Sequence, residues 1–89
     1  MRKPSFTRQF EKDLKRMEKR GKALRKIKEV MSLLIAEEQL TERYRDHTLI
    51  GNYKGRRECH IEPNWLLIYK LEEAGIIFER TGTHSDLFE

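Results

Sequence analysis

Three histidines in the second half of the chain are the residues best suited to chemistry. His47 lies in RDHTLIG, His60 in RRECHIEPNW and His84 in ERTGTHSDLFE, each beside a turn or strand signal. An imidazole has an unperturbed pKa of about 6.5, so it can act as a base or as an acid near neutral pH. If the fold gathers the three rings at one cleft, the chemistry they favour is proton transfer.

RNA cleavage is a reaction that needs one base and one acid. The base removes the proton from a 2′-hydroxyl, which attacks its own phosphate, and the acid protonates the leaving 5′-oxygen. No metal is required if cations stabilise the extra charge on phosphorus. The candidate cations are Lys54, Arg56, Arg57 and Arg80. Trp65 and Phe88 are candidates to stack on splayed bases, with core packing as the alternative for both.

The spacing of the histidines does not indicate a metal site. They lie far apart in the sequence and form no His-x-x-x-His pair. A single cysteine, Cys59, excludes an internal disulfide and a Cys-rich zinc site. We therefore expect no metal and no cofactor. For any one histidine taken alone, a surface or hydrogen-bonded role is the alternative.

Two helical stripes precede the histidines. The first consists of Phe6, Phe10, Leu14 and Met17, and the second of Leu24, Ile27, Val30, Met31, Leu34 and Ile35. Thr7 or Ser5 is a candidate cap for the first helix, and Gly21 a candidate stop. The second helix is predicted from about residue 22 to residue 38. Two helices that meet at one glycine predict a helical hairpin.

The remainder of the chain predicts strands. Residues 39–54 lack clean periodicity and predict a long loop with one turn of helix. Residues 56–61 alternate with a period of two, which places Glu58 and His60 on the polar face of a strand. Turn chemistry follows, then the apolar strand WLLIYKL, another turn and a strand over residues 76–81. The predicted fold class is α+β: a helical hairpin packed on an antiparallel sheet, in the order β-α-α-β-β-β, as one domain over residues 1–89.

Charge is distributed unevenly along the chain. Residues 8–28 carry ten Lys or Arg against three Asp or Glu, whereas residues 29–89 carry seven against twelve. The basic helices form either a solvated face or a surface for a polyanion, and charge alone does not decide between them. No apolar run is long enough to span a membrane and no signal peptide is evident, so we expect a cytoplasmic protein without membrane partners.

The segment DHTLIGNYKGRRECHIEPNWLLIYKLEEAGIIFERTGTHSDLFE resembles the YafQ branch of the RelE/ParE superfamily of bacterial toxins. The resemblance covers the whole chain and is strongest in DH-x-L-x-G, H-x-EP-x-W-x-LIYK and FERTGTH-x-x-LF. It implies a toxin of a type II toxin–antitoxin system that cuts messenger RNA in the ribosomal A site without a metal ion. It also implies a DinJ-like antitoxin, and it offers the basic surface of residues 8–28 as a contact for ribosomal RNA or for an acidic antitoxin segment.

The resemblance also implies roles for individual residues. The family's catalytic histidines fall on His47, His60 and His84, with His60 and His84 as the leading acid–base pair and their order unassigned. Aromatic positions of the family's active site fall on Trp65 and Phe88. Arg80 occupies the arginine of the FERTGTH motif and is expected to stabilise the RNA phosphate; Lys54 and Arg56 are expected to contact phosphates because of their charge alone.

One position departs from the family pattern. Asn64 stands where the pattern has an aspartate, and an amide can neither act as a base nor hold a negative charge. We expect Asn64 to contact the substrate and the missing carboxylate to be dispensable.

Two alternatives share the fold class: a ParE-like inhibitor of DNA gyrase and a non-catalytic RNA-binding module. Neither has a use for an acid and a base.

Overall fold

The computed structural model describes residues 1–88, so Glu89, the last residue of the predicted domain, lies outside the described part of the chain. Five strands and three helices are present. They are β1 (Lys3–Phe6), α1 (Arg8–Lys19), α2 (Leu24–Ile35), β2 (His47–Thr48), β3 (Arg57–Glu62), β4 (Trp65–Leu71), β5 (Gly75–Gly82) and α3 (His84–Phe88). Two 3-10 turns, Glu42–Tyr44 and Gly51–Tyr53, flank β2.

The strands form one sheet in the order β1-β5-β4-β3-β2. Neighbours from β2 to β5 pair antiparallel, and β1 pairs parallel with β5. The predicted β-α-α-β-β-β order is confirmed, and the sheet is mixed because β1 and β5 run in the same direction. The additional β2 has only two residues, too few for a period-two pattern to be visible in the sequence.

The helical hairpin is built as its end signals predict. The hydroxyl of Thr7 accepts from the backbone N–H of Phe10, which caps α1. Gly21 has a φ of 86°, and this left-handed conformation ends the helix with little steric cost. Phe6, which was assigned to the helical stripe, instead lies in β1. Its ring still stacks on Phe10 and Phe78, so the apolar spacing reflected packing across two elements.

The two helices cover one face of the sheet. This main core joins the helices to β3, β4 and β5 through Phe10, Met17, Ile27, Val30, Leu34, Cys59, Trp65, Leu67, Tyr69, Ile76 and Phe78. Side chains alternate across a strand, so the residues between these positions point to the other face. No helix within residues 1–88 is long and apolar enough to cross a membrane.

The second face of the sheet carries a smaller apolar cluster. Leu66 and Ile68 from β4 pack against Leu87 of α3, and Leu49 and Tyr53 from the β2–β3 connection join them. The hydroxyl of Tyr53 also donates to the carbonyl of Leu87, 3.2 Å away. These contacts fix the connection and α3 over the sheet; α3 carries His84, and the connection follows His47 of β2.

Candidate active site

The register of the sheet places the histidines on the face opposite the helical hairpin. His47 of β2 pairs with Glu58 of β3, and Glu58 pairs with Ile68 of β4. His60 pairs with Leu66 in the adjacent row. Paired residues of neighbouring strands share a face, so His47, Glu58 and His60 lie on the same face as the smaller apolar cluster.

The three imidazoles lie in a row with His60 in the middle. Ring centroids are 6.3 Å apart for His47 and His60, and 5.8 Å apart for His60 and His84. His47 and His84 are exposed, whereas only 12% of the side chain of His60 is accessible. Residues 37 positions apart in the sequence therefore meet at one open cleft, and the rings are close enough for a single phosphodiester to reach two of them.

Glu58 is a site residue that the sequence did not single out. Its carboxylate is 3.3 Å from Nε2 of His60 and 3.5 Å from Nε2 of His47, and the side chain is only 6% exposed. At these distances the carboxylate attracts whichever of the two rings is protonated. Its position on the polar face of β3 was the available signal, but alternation alone assigns no partner.

His47 has a second contact that fixes its ring. Its Nδ1 lies 2.6 Å from the carbonyl oxygen of Arg45, which can only accept, so Nδ1 carries the proton. Arg45 itself has a left-handed φ of 49° and ends the first 3-10 turn. The ring therefore presents Nε2 to Glu58 and to the cleft.

Asn64 holds His84 in place. Its Oδ1 accepts from the backbone N–H of His84 at 3.0 Å and from Nδ1 of the same ring at 2.7 Å. Because Oδ1 is an acceptor, Nδ1 carries the proton, and Nε2 is left to exchange a proton with another group. The amide at this position thus does what an orienting group requires without carrying a charge.

The helix that carries His84 is anchored through Asp86. Arg20, which directly follows α1, donates to this carboxylate at 2.6 and 3.1 Å, and the backbone N–H of Thr83 donates at 2.9 Å. A Cβ added at Gly82 would lie 2.8 Å from Oδ2 of Asp86, so glycine is required for the close approach. His84 is therefore carried by a short helix that a specific contact holds in place.

The anchor makes the stability of this region depend on pH. The Arg20 guanidinium, together with the Thr83 N–H, holds the pKa of the Asp86 carboxyl well below its usual range. A carboxyl with a lowered folded-state pKa stabilises the fold above its unfolded pKa of about 3.9, and this contribution is lost as the pH falls through the folded value.

Asp86→Asn should therefore lower the free energy of unfolding by about 1 kcal/mol at pH 7, since the lost ion pair is partly exposed. The difference from the wild type should shrink progressively below pH 4. Urea unfolding curves measured at pH 7, 4 and 2.5 check this, and Ser85→Ala on the same helix serves as the control that changes at no pH. A difference that is constant across this range would contradict the role of the ion pair.

The cations predicted to face the phosphate are mostly paired with carboxylates. Arg56 binds Glu79 at 2.8 Å, and Arg80 binds Asp13 of α1, also at 2.8 Å. These contacts raise the pKa of both guanidinium groups and hold their positions. Lys54 is exposed and has no carboxylate partner within residues 1–88. Whether any of them contacts RNA stays a prediction, and Lys54 is the one whose charge is not already opposed.

The two aromatic residues predicted to stack on bases differ in their exposure to solvent. Trp65 is fully buried in the main core, and its indole N–H donates to the hydroxyl of Thr81 at 2.9 Å. The prediction that a base stacks on Trp65 is wrong, because its ring has no accessible face. Phe88 is 44% exposed, 6.5 Å from His84 and 5.5 Å from Tyr53, measured between ring centroids. It borders a cavity of about 420 Å³ that Tyr53 and Ile50 also line.

Within residues 1–88, no group of three or more His, Cys, Asp or Glu side chains is placed so that it could hold a metal ion. Three imidazoles, one buried carboxylate and an orienting amide can hold protons at defined nitrogen atoms and transfer them to and from a bound molecule.

Comparisons with known proteins agree with this geometry. A family described as "Bacterial toxin of type II toxin-antitoxin system, YafQ" matches residues 2–89. The mRNA interferase toxin YafQ of Escherichia coli K12 is 48% identical over 84 residues, which cover 93% of this chain and 91% of that protein. The crystal structure of YafQ from E. coli BL21(DE3) superposes with a TM-score of 0.95 at 44% identity and full coverage of both chains. YafQ in the E. coli DinJ–YafQ complex gives a TM-score of 0.93 at 46% identity, again with full coverage. The chain belongs to the YafQ family of bacterial type II toxin–antitoxin toxins.

Proposed function

We propose that this toxin is a ribosome-dependent mRNA interferase that cuts translated messages in the A site by metal-independent acid–base catalysis. The observation that carries the proposal is the row of three imidazoles, with neighbouring centroids 5.8 and 6.3 Å apart in an exposed cleft. A related E. coli protein, 48% identical, is an mRNA interferase. The protein would act in the cytoplasm, where messages are translated.

The proposed reaction balances without an added reagent. One imidazole takes the proton of the 2′-hydroxyl, and the resulting oxygen forms a bond to the adjacent phosphorus. The bond from phosphorus to the 5′-oxygen breaks, and a second, protonated imidazole gives its proton to that oxygen. The products are a 2′,3′-cyclic phosphate and a free 5′-hydroxyl. His60 and His84 are the leading pair and His47 is the third member, with the order of base and acid unassigned.

The surroundings of the row suit a single-stranded substrate. Phe88 and Tyr53 offer ring faces and edges beside the cavity next to His84, where an unstacked base can lie. Lys54 lies in the β2–β3 connection, next to Tyr53, and can stabilise the charge on a phosphate. Glu58 lies within 3.5 Å of two of the three rings and can stabilise a positive charge on either of them.

The basic helices provide a surface for larger partners. Of the ten cations within residues 8–28, six have no carboxylate partner in the described part of the chain: Arg8, Lys12, Lys15, Lys19, Arg25 and Lys28. We propose that this surface contacts ribosomal RNA, since unpaired lysines and arginines neutralise phosphates without sequence preference. A DinJ-like antitoxin is the proposed neutralising partner, because the related toxin at 46% identity forms a DinJ–YafQ complex.

Primer extension on a translated message tests the proposal. The purified toxin should produce discrete breaks in the codon held in the A site, and the same message without ribosomes should stay intact. Toxin treated with a chelator of transition metals and then dialysed should cut at the same rate. Intact messages on translating ribosomes, together with inhibition of DNA gyrase, would instead favour a ParE-like inhibitor.

Asn64→Ala should reduce cleavage by about 10- to 100-fold, because His84 loses the acceptor that fixes its ring. Asn64→Asp keeps an oxygen at the same place and should retain most of the activity. Cleavage rates of the two variants on translating ribosomes check this, with thermal unfolding to show that both are folded. If the alanine variant cuts as fast as the wild type, Asn64 does not position His84.

A further inference from the structure

A second cavity borders the histidine row and shares no lining residue with the cavity beside Phe88. It has a volume of about 580 Å³, and His60 forms part of its wall. The first 3-10 turn contributes Arg43 and Arg45, and the turn between β3 and β4 contributes Pro63. The cavity is large enough for one nucleotide and opens directly beside the middle imidazole.

The charge around this cavity favours an anion. Arg43 and Arg45 are exposed and have no carboxylate partner within residues 1–88. Glu62 also lines the wall, but Lys22 and Lys26 bind its two oxygens at 2.6 and 2.8 Å, so its charge is already balanced. Glu42 is the remaining carboxylate at the rim. Within the lining, two unpaired arginines therefore outnumber the one carboxylate that no lysine binds, and this balance favours a phosphate.

The cavity continues into a narrower groove along α2. This groove has a volume of about 160 Å³ and shares Arg43 and Ile61 with the larger cavity. Its far end is bordered by Arg25 and Lys26. Together the two linings carry three arginines without a carboxylate partner within residues 1–88, Arg25, Arg43 and Arg45, against two such carboxylates, Glu29 and Glu42. This positive balance favours a polyanion such as a single RNA strand.

We propose that this cavity is a subsite for the message nucleotide next to the cleaved one, with Arg43 and Arg45 binding its phosphate. The proposal rests on the function proposed above and adds a direction for the RNA strand: across the histidine row, from the Phe88 side towards α2. Arg45 has two roles in it. Its carbonyl oxygen fixes His47, and its guanidinium group borders the subsite.

The subsite can be tested without the ribosome. The probe is a short single-stranded RNA with a deoxynucleotide at the cleaved position, which binds but lacks the attacking hydroxyl. Binding is measured by fluorescence anisotropy at several salt concentrations. Arg43→Gln combined with Arg45→Gln should weaken binding at least tenfold and reduce the slope of log affinity against log salt by about 1.4, for two lost phosphate contacts. The Arg45 carbonyl is unchanged by this substitution.

A control with the same loss of charge separates a site from a general effect. Lys3→Gln combined with Lys70→Gln removes two exposed or half-exposed cations that lie outside the cavity and outside the basic helices. It should leave the affinity within about twofold. Equal weakening by both double variants would overturn the subsite and leave only non-specific attraction. All variants are compared by thermal unfolding, and no change in midpoint is expected because the replaced side chains are on the surface.

Two further measurements complete the test. Backbone amide signals of residues 42–45 and 60–63 should shift when the wild type binds the RNA, and shifts confined to other segments would overturn the proposal. On translating ribosomes, the Arg43 and Arg45 substitutions should raise the half-saturating concentration more than they lower the maximal rate. If the wild type binds the RNA at these residues but cuts no message, the proposed function fails and the RNA subsite stands.

Discussion

His84→Ala should reduce the rate of message cleavage on translating ribosomes by about 10²- to 10⁴-fold, the usual range for loss of a general acid or base. His84 is the best residue for this test because its side chain is exposed and belongs to neither apolar cluster. Its removal leaves Asn64 facing solvent and creates no buried cavity. The fold should therefore be unchanged while the proton-transfer group is lost.

The measurement is a time course of primer extension with the toxin in excess over ribosomes. Ser85→Ala is the matched control, since Ser85 is the next residue of the same helix and is also exposed. It should cut at the wild-type rate. Equal thermal stability and unchanged binding of the antitoxin would show that the His84 variant is intact. Full cleavage by this variant would remove His84 from the mechanism.

His60 would give a less clear result. Its side chain is largely covered and lies 3.3 Å from the buried carboxylate of Glu58. Replacing the ring by a methyl group would leave that carboxylate with one fewer partner in a poorly solvated position, which costs stability as well as chemistry. A loss of activity at His60 would then have two causes, whereas a loss at His84 has one.

Local patterns explain how much of this fold the sequence could predict. The alternation of Glu58 and His60 with Cys59 and Ile61 gave both the strand and its two faces, and the structure buries Cys59 and Ile61 in the main core. Gly21 gave the boundary between the helices. These signals depend only on residues within one element, so they can be read without knowledge of the fold.

Signals that depend on distant partners could not be read in this way. Trp65 is apolar enough for either role, and its burial among residues from distant parts of the chain shows that it is core. Glu58 becomes a site residue because two histidines from different elements approach it. The parallel pairing of β1 with β5 joins residues 72 positions apart, as in Phe6 and Phe78. Period and composition carry no information on such contacts.

Asp13 also owes its role to partners that are distant in the sequence, and its replacement is expected to have a large effect on stability. It is a charged residue on the buried side of α1, with only 1% of its surface exposed. Its two oxygens accept hydrogen bonds from four groups. These are the side chains of Gln9 at 3.0 Å, Arg16 at 3.1 Å and Arg80 at 2.8 Å, and the backbone N–H of Thr81 at 3.1 Å. One carboxylate thus ties α1 to β5 at the end of the strand that leads into α3.

Asp13→Ala should lower the free energy of unfolding by about 3 to 5 kcal/mol, because it leaves the half-buried guanidinium of Arg80 and the buried N–H of Thr81 without their acceptor. Urea unfolding measures the change. Asp13→Asn keeps an acceptor but not the charge, so its free energy of unfolding should fall between those of the wild type and Asp13→Ala. Glu11→Ala is the matched control. It removes an exposed carboxylate of the same helix, two residues before Asp13, and should change the free energy of unfolding by about 0.5 kcal/mol or less. A loss below about 1 kcal/mol for Asp13→Ala would mean that water replaces the carboxylate, and that packing of the apolar faces alone holds α1 against β5.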